Sequence, residues 1–210
     1  MPTIYFTADL HFGHSNIIRH CGRPFCSVEE MDHALLENWN RRVRTNDTIY
    51  ILGDLMFFCK DPGSYLRQLS GKKHLIVGNH DRVWMKKVRV EDHFESVQPM
   101  LEISDGTHYL TLCHYPMMTW NRVSHGSYMI YGHIHNNTGG SYWPLLHQMD
   151  QALNAGVDVN RFMPVIFEEM VENNRLFRTA HPNKLSIFHK QDFIRNKLNV
   201  AHDMSGKQYN

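Results

Sequence analysis

Thr48-Ile49-Tyr50-Ile51-Leu52-Gly53-Asp54 joins a short, β-prone apolar run to a glycine and a carboxylate. A run of this length, cut off by a turn residue, reads as a buried strand feeding a loop. The same join recurs on both sides of it. Ile4 to Ala8 stops at Asp9, His74 to Val77 at Gly78-Asn79, Tyr109 to Cys113 at His114, and Met129 to Tyr131 at Gly132-His133. Five strands are therefore expected, each finishing in polar residues of similar kind.

The segments between them supply crossovers. Ser27 and Glu30 form a capping box ahead of Met31, Leu35, Leu36, Trp39 and Val43, which recur at helical spacing. Strand, helix and strand make a βαβ unit. A shorter helix is predicted after Asp61-Pro62, with Asp61 as cap and Leu66 and Leu69 facing inward. From about Phe94 to Tyr131 the pattern is one of strands joined by turns such as Ser104-Asp105-Gly106, so a mixed sheet is expected. Leu145 to Asp150 reads as a short helix, Asn154 to Val159 as a further strand, and a helical turn from Pro164 to about Val171 as the close of the domain. The expected organisation is one domain over residues 1–172 and a polar, partly helical C-terminal extension over 173–210.

Composition sets the outer limits. The 210 residues, 42% of them apolar and 20% charged, suit a globular chain able to bury its own core. Twenty-two Lys and Arg against twenty-one Asp and Glu give a net charge of +1, which offers no broad field for nucleic acid or an anionic membrane. No segment approaches the roughly 18 consecutive apolar residues of a membrane span. Cys21, Cys26, Cys59 and Cys113 make no CxxC pair, and the start Met1-Pro2-Thr3 lacks the basic opening of a signal peptide. Reduced thiols and a cytoplasmic location are expected. The composition is unusual in its sixteen histidines, and their placement matters.

Metal-ligating residue types gather at the five strand ends: Asp9-Leu10-His11, Gly53-Asp54, Gly78-Asn79-His80-Asp81, His114, and Gly132-His133-Ile134-His135. In an α/β sheet, the loops leaving the carboxyl ends of the strands converge on one crevice, so these residues can share a site. Asp and His one residue apart reach the same side of a turn, and a carboxylate has two oxygens with which to bridge two cations.

In order and spacing the five blocks resemble the calcineurin-like metallophosphoesterase family, whose pattern is DxH, GD, GNH followed by Asp or Glu, an isolated His, and GHxH. The resemblance covers about residues 3–170. It implies an α/β fold of four layers, an α/β/β/α sandwich of two mixed β-sheets flanked by helices. It implies a first metal on Asp9, His11, Asp54 and His135, and a second on Asp54, Asn79, His114 and His133. Nitrogen and oxygen donors without thiolate suit two divalent transition-metal ions, manganese, iron or zinc. The implied activity is hydrolysis of a phosphomonoester or phosphodiester by a water shared between the metals. His80 is the family's usual general acid. Asp81 joins it as a catalytic candidate that could orient it, and His14, on the loop after Asp9, as one that could meet substrate. The family's phosphoprotein phosphatases carry an Asp shortly after the GD; here the chain reads Leu55-Met56-Phe57-Phe58, which argues against protein dephosphorylation.

Plainer readings stand beside these. Most single histidines are surface or hydrogen-bonded residues, and His20, His33, His74, His93, His108, His147, His181, His189 and His202 are read so. His125 is a candidate for the rim. Cys113 and Trp39 are read as core, and Arg41, Arg42 and Arg44 as cations favoured at a helix C-terminus. Arg23 and Asn40 could reach a phosphate, though an exposed Arg and a helix-end Asn are the commoner explanations. The expected partner is a small phosphate ester, a nucleotide-like one among the candidates, with no membrane. The alternatives are a metal-dependent nuclease on DNA or RNA, disfavoured by the near-neutral charge, and an inactive metal-binding scaffold.

Overall fold

A computed structural model describes residues 2–183. The chain folds into two four-stranded sheets with flanking helices. The first sheet has the order β1 (Ile4–Thr7), β2 (Thr48–Ile51), β3 (Lys72–Ile76), β4 (Ser96–Gln98), and every pairing in it is parallel. The second runs β5 (Met100–Ser104), β6 (Tyr109–Cys113), β7 (Tyr128–Tyr131), β8 (Ala152–Asn154). Here β5 is antiparallel to β6 across the Ser104–Tyr109 turn, and the other two pairings are parallel. Only this sheet is mixed, where both were expected to be. The first has a crossover between each pair of neighbouring strands, and a crossover returns the chain in the same direction.

The helices follow from local sequence. In α2 (Val28–Arg42) the Ser27 side chain accepts from the Glu30 N–H, while Glu30 accepts from the Cys26 N–H, one residue further back than a strict capping box. Met31, Leu35 and Trp39 point from α2 onto Ile49, Ile51 and Leu75 of the first sheet. Trp39 is fully buried, and its indole N–H donates to the Ser70 carbonyl; truncating it to Ala would cost ~3–5 kcal/mol. Asp61 caps α3 (Pro62–Gln68) as expected. Two short helices, α1 (Ser15–Cys21) and α4 (Asp81–Met85), follow two of the strand-end blocks and carry no periodicity long enough to be read from sequence.

Between the sheets lies a second apolar layer. Phe6, Ala8, Leu52 and Ile76 meet Leu110, Leu112, Ile130 and Leu153 there. The outer face of the second sheet is covered by Trp120, Ile134 and Leu146, the last from the one-turn α5 (Trp143–Leu146). The strand expected over Asn154–Val159 instead ends at Asn154. Its side chain accepts from the Gly156 N–H and turns the backbone away, and Asn160 donates to the carbonyls of Asn154 and Gly156 to hold that turn. The closing helix α6 (Phe167–Ala180) runs past Glu172, because Asn174 is buried and bonds the β8 backbone at Asn154. The expected extension beyond residue 183 lies outside the described residues. No helix among them is long and apolar enough to cross a membrane.

Candidate metal centre

The carboxyl ends of β1, β2, β3, β6 and β7 lie side by side, and the loops leaving them are bonded to one another. Asp9 N–H donates to the Gly53 carbonyl and His11 N–H to the Asp54 carbonyl, both at 3.0 Å. Gly53 has φ +81°, and a Cβ on it would stand 2.5 Å from His114 Nδ1 and 2.7 Å from the Gly78 Cα. The loops touch through bare backbone, which only glycine allows. Strain gathers in the same place. Asp9 (φ 57°), His11 (57°), Asp54 (53°), His133 (72°) and His135 (51°) all hold the left-handed conformation. Such residues cost ~1–3 kcal/mol each and persist where the surrounding structure enforces them, most often at functional sites.

Their ligand atoms form two groups. Asp9, His11 and His135 offer one atom each within 4.8 Å of one another, and so do Asp54, His114 and His133. Asp54 faces both groups: its Oδ2 lies 3.6 Å from His11 Nε2 and 3.5 Å from His114 Nε2. Asn79 Oδ1 joins the second group, 3.1 Å from His114 Nε2 and 3.0 Å from His133 Nδ1. The buried His11 Nε2 has no hydrogen-bond partner. A buried orphan nitrogen is costly unless something accepts its lone pair. The donor set of carboxylate, imidazole and amide oxygen fits transition-metal cations, which would satisfy it.

The electrostatics point the same way. Burial pushes the Asp9 carboxyl up to about 6 against the pull of His135 and His114. Burial also opposes charge on Asp54, but the contact with His114 and the N–H of His80 outweigh it and bring that carboxyl down to about 2. Burial drives His11 well below the usual imidazole range, with the neighbouring His135 adding to it, so its ring is neutral and can ligate. His133 is lowered by burial and by His114.

Behind these candidate ligands stands a supporting layer, part of which the sequence did not disclose. His135 Nδ1 is 2.8 Å from Asp158 Oδ2, which leaves Nε2 for the centre. Asp158 is clasped on both oxygens by Arg23 at 2.8 and 2.9 Å. Arg23 is not an exposed phosphate-binding cation: it is 4% exposed, and it also donates to the Asp9 and Leu10 carbonyls. Burial disfavours charge on His135, but the bond to Asp158 overcomes this and raises it to about 10. A carboxylate on the far nitrogen of a ligating histidine fixes its tautomer and orientation.

Asp81, a catalytic candidate on sequence, is instead sealed behind the site. Its Oδ2 accepts from the backbone N–H of Asp54 and Gly78, and its Oδ1 from the N–H of Leu55 and the Trp84 indole. It pins the loops carrying Asp54 and Asn79 to each other and does not orient the His80 ring. His80 lies at the mouth with its Nε2 3.9 Å from Asp54 Oδ2 and its ring edge-on to Phe57. His14 stacks on Phe57 at 4.0 Å and meets His11 Nδ1 at 3.2 Å, so it supports the His11 ring from behind. Burial, with His80 adding, lowers His14 to about 4. Phe57 belongs to the Leu55–Phe58 stretch that follows Gly53-Asp54 without a carboxylate. Asp32 accepts from Gly13 N–H and the Tyr65 hydroxyl, steadying the turn after His11. Asn40 bonds Gln68 at the end of α3 and Ser70 in the loop after it, and His125 bonds Ser124 in a separate turn.

Among known proteins, the chain is 33% identical over 187 residues to the uncharacterized protein MJ1445 of Methanocaldococcus jannaschii, a match over 86% of this chain and 98% of that one. It is 28% identical over 171 residues to the Gene 66 protein of Mycobacterium phage L5, over 65% of this chain and 79% of the phage protein. The crystal structure of a protein of unknown function, AQ665 from Aquifex aeolicus, superposes with a TM-score of 0.64 at 25% identity, over 82% of this chain and 99% of that one. No protein-family model matches the chain.

Proposed function

The chain belongs to one family with MJ1445 of Methanocaldococcus jannaschii, and for this member we propose a metal-dependent phosphoesterase that hydrolyses a phosphomonoester or phosphodiester at a two-metal centre. The observation that carries the reading is the Asp54 carboxylate between two groups of ligand atoms, beside an unpartnered, buried His11 Nε2. One cation is assigned to Asp9, His11, Asp54 and His135, the other to Asp54, Asn79, His114 and His133. Two such cations, when bound, supply Lewis acidity to a water and to the phosphate oxygens.

The chain's own groups do the rest. Arg23 and Asp158 hold His135 in its ligating tautomer, and Asp81 holds the Asp54 and Asn79 loops in register. His80, half-exposed at the mouth, donates the proton that the leaving alkoxide needs from its Nε2. His14 and Phe57 keep the His11 ring in place and shield one side of the site.

The test is hydrolysis of para-nitrophenyl phosphate and its bis ester by the full chain with manganese, and again after chelation. The reading expects turnover that chelation abolishes and manganese restores. Turnover indifferent to chelation, or none with any of manganese, iron and zinc, would refute it.

A further inference from the structure

A cleft of about 880 Å³ opens beside the centre, with His133 and His135 forming part of its wall. This is within the range of roughly 300–1,000 Å³ common for small-molecule sites. Its chemistry is selective. None of the described lining residues is Asp, Glu, Lys or Arg. Two tyrosine rings, Tyr115 and Tyr142, line it, the second packed on one side against the Trp120–Leu146 cluster, and Asn136, Asn137 and Thr138 provide amide and hydroxyl groups. Tyr115 leans edge-on against His133 yet remains 46% exposed.

The loop that makes the far wall is held in shape. Asn136 donates to the Cys21 carbonyl, Asn137 Oδ1 accepts from Gly139 N–H, and the Tyr142 hydroxyl reaches the Asn137 carbonyl. A Cβ at Gly140 would stand 2.2 Å from the Tyr142 ring, so glycine is what lets the ring lie against this loop.

We infer that this cleft binds one uncharged nucleoside as the ester group of the phosphate held at the centre. The inference rests on the phosphoesterase reading and adds its substrate class. A base has a π-face for tyrosine and exchangeable edges for amides, while a ribose needs only hydroxyl partners. A second phosphate, as in a nucleoside diphosphate or the next unit of a strand, would find no lysine or arginine among the described residues of the wall. A mononucleoside ester is therefore favoured over a polynucleotide.

Thymidine 5′-(para-nitrophenyl phosphate) and methyl para-nitrophenyl phosphate share a leaving group and differ in the retained ester group. With manganese, the full chain is expected to prefer the thymidine ester by about tenfold in kcat/KM, the scale of one base stacked on an aromatic ring. Tyr142→Ala should lower kcat/KM for the thymidine ester about tenfold more than for the methyl ester, and Tyr142→Phe should restore the preference. Thymidine 5′-monophosphate should also bind the metal-free chain by calorimetry, about tenfold more weakly in Tyr142→Ala. Equal rates on the two esters, a Tyr142→Ala loss shared equally between them, or faster cleavage of a single-stranded oligonucleotide would overturn the inference. Hydrolysis of neither ester, with Tyr142-dependent nucleotide binding intact, would uphold the cleft and sink the phosphoesterase reading instead.

Discussion

Replacing Asp81 with Asn removes one oxygen from a carboxylate that accepts four hydrogen bonds. Oδ1 takes Leu55 N–H at 2.9 Å and the Trp84 indole at 2.8 Å, and Oδ2 takes Asp54 N–H at 2.9 Å and Gly78 N–H at 2.8 Å. An Asn keeps one such oxygen and turns an NH₂ toward the other two donors. Two buried N–H groups then lose their acceptor, at ~1–3 kcal/mol each. Some of this is recovered, because burial, despite the Gly78 N–H and the Trp84 indole, raises the Asp81 carboxyl and its charge is costly. A net loss of ~2–4 kcal/mol follows, or a fall in Tm of roughly 5–15 °C for a chain of this size. Urea unfolding of the metal-free protein measures the first and a calorimetric scan the second. Since the four donors include the backbone of Asp54 itself and of Gly78, next to Asn79, manganese affinity should fall as well. A variant within ~0.5 kcal/mol of wild type, the range of neutral surface changes, would refute the role given to Asp81.

Other outcomes are expected. Asp158→Asn leaves Arg23 without its carboxylate and loosens the His135 ring, so manganese affinity measured by titration calorimetry should drop ~10–100-fold; unchanged affinity in a folded variant would count against the Arg23–Asp158–His135 chain. Asp32 gives a pH signature. Burial, against the bonds from Tyr65 and Gly13, raises its carboxyl from 3.8 to about 6, so the fold favours the protonated form. Stability from this group is therefore present below about pH 4 and lost as pH rises through about 6, by up to ~3 kcal/mol. Asp32→Asn, which cannot ionise, should gain on wild type across that window in urea unfolding of the metal-free protein, and a constant difference would contradict it. His80→Gln should cut kcat on an alkyl phosphate ~10²–10⁴-fold and on a para-nitrophenyl ester far less, with metal content by mass spectrometry unchanged; equal losses on both would remove His80 as the acid.

Much of the scaffold was legible because the strands announce their ends. Gly53-Asp54 and Gly78-Asn79 stop apolar runs with residues that suit tight turns, and the observed β2 and β3 end within two residues of them. The ligand blocks could be placed on one edge for the same reason. What escaped was whatever depended on distance. Asp158 sits in a turn without periodicity, 135 residues from Arg23, so neither side chain signals the other. Arg23 reads as a surface cation until its carboxylate is known. Asp81 is the opposite case: its neighbours Asn79 and His80 face the site, and only the four donors around it show that it faces away. The strand misplaced at Asn154–Val159 shows how two asparagine side chains, bonding their own backbone, can override a β-prone run.

The proposed chemistry requires Asp54 to stand between two cations. Anomalous diffraction from crystals of the full chain grown with manganese tests it most directly. Two peaks are expected, one on each side of the Asp54 carboxylate and about 3.5–4 Å apart, the first among Asp9, His11 and His135 and the second among Asn79, His114 and His133. A single peak, or peaks that leave Asp54 without a metal on either side, would contradict it.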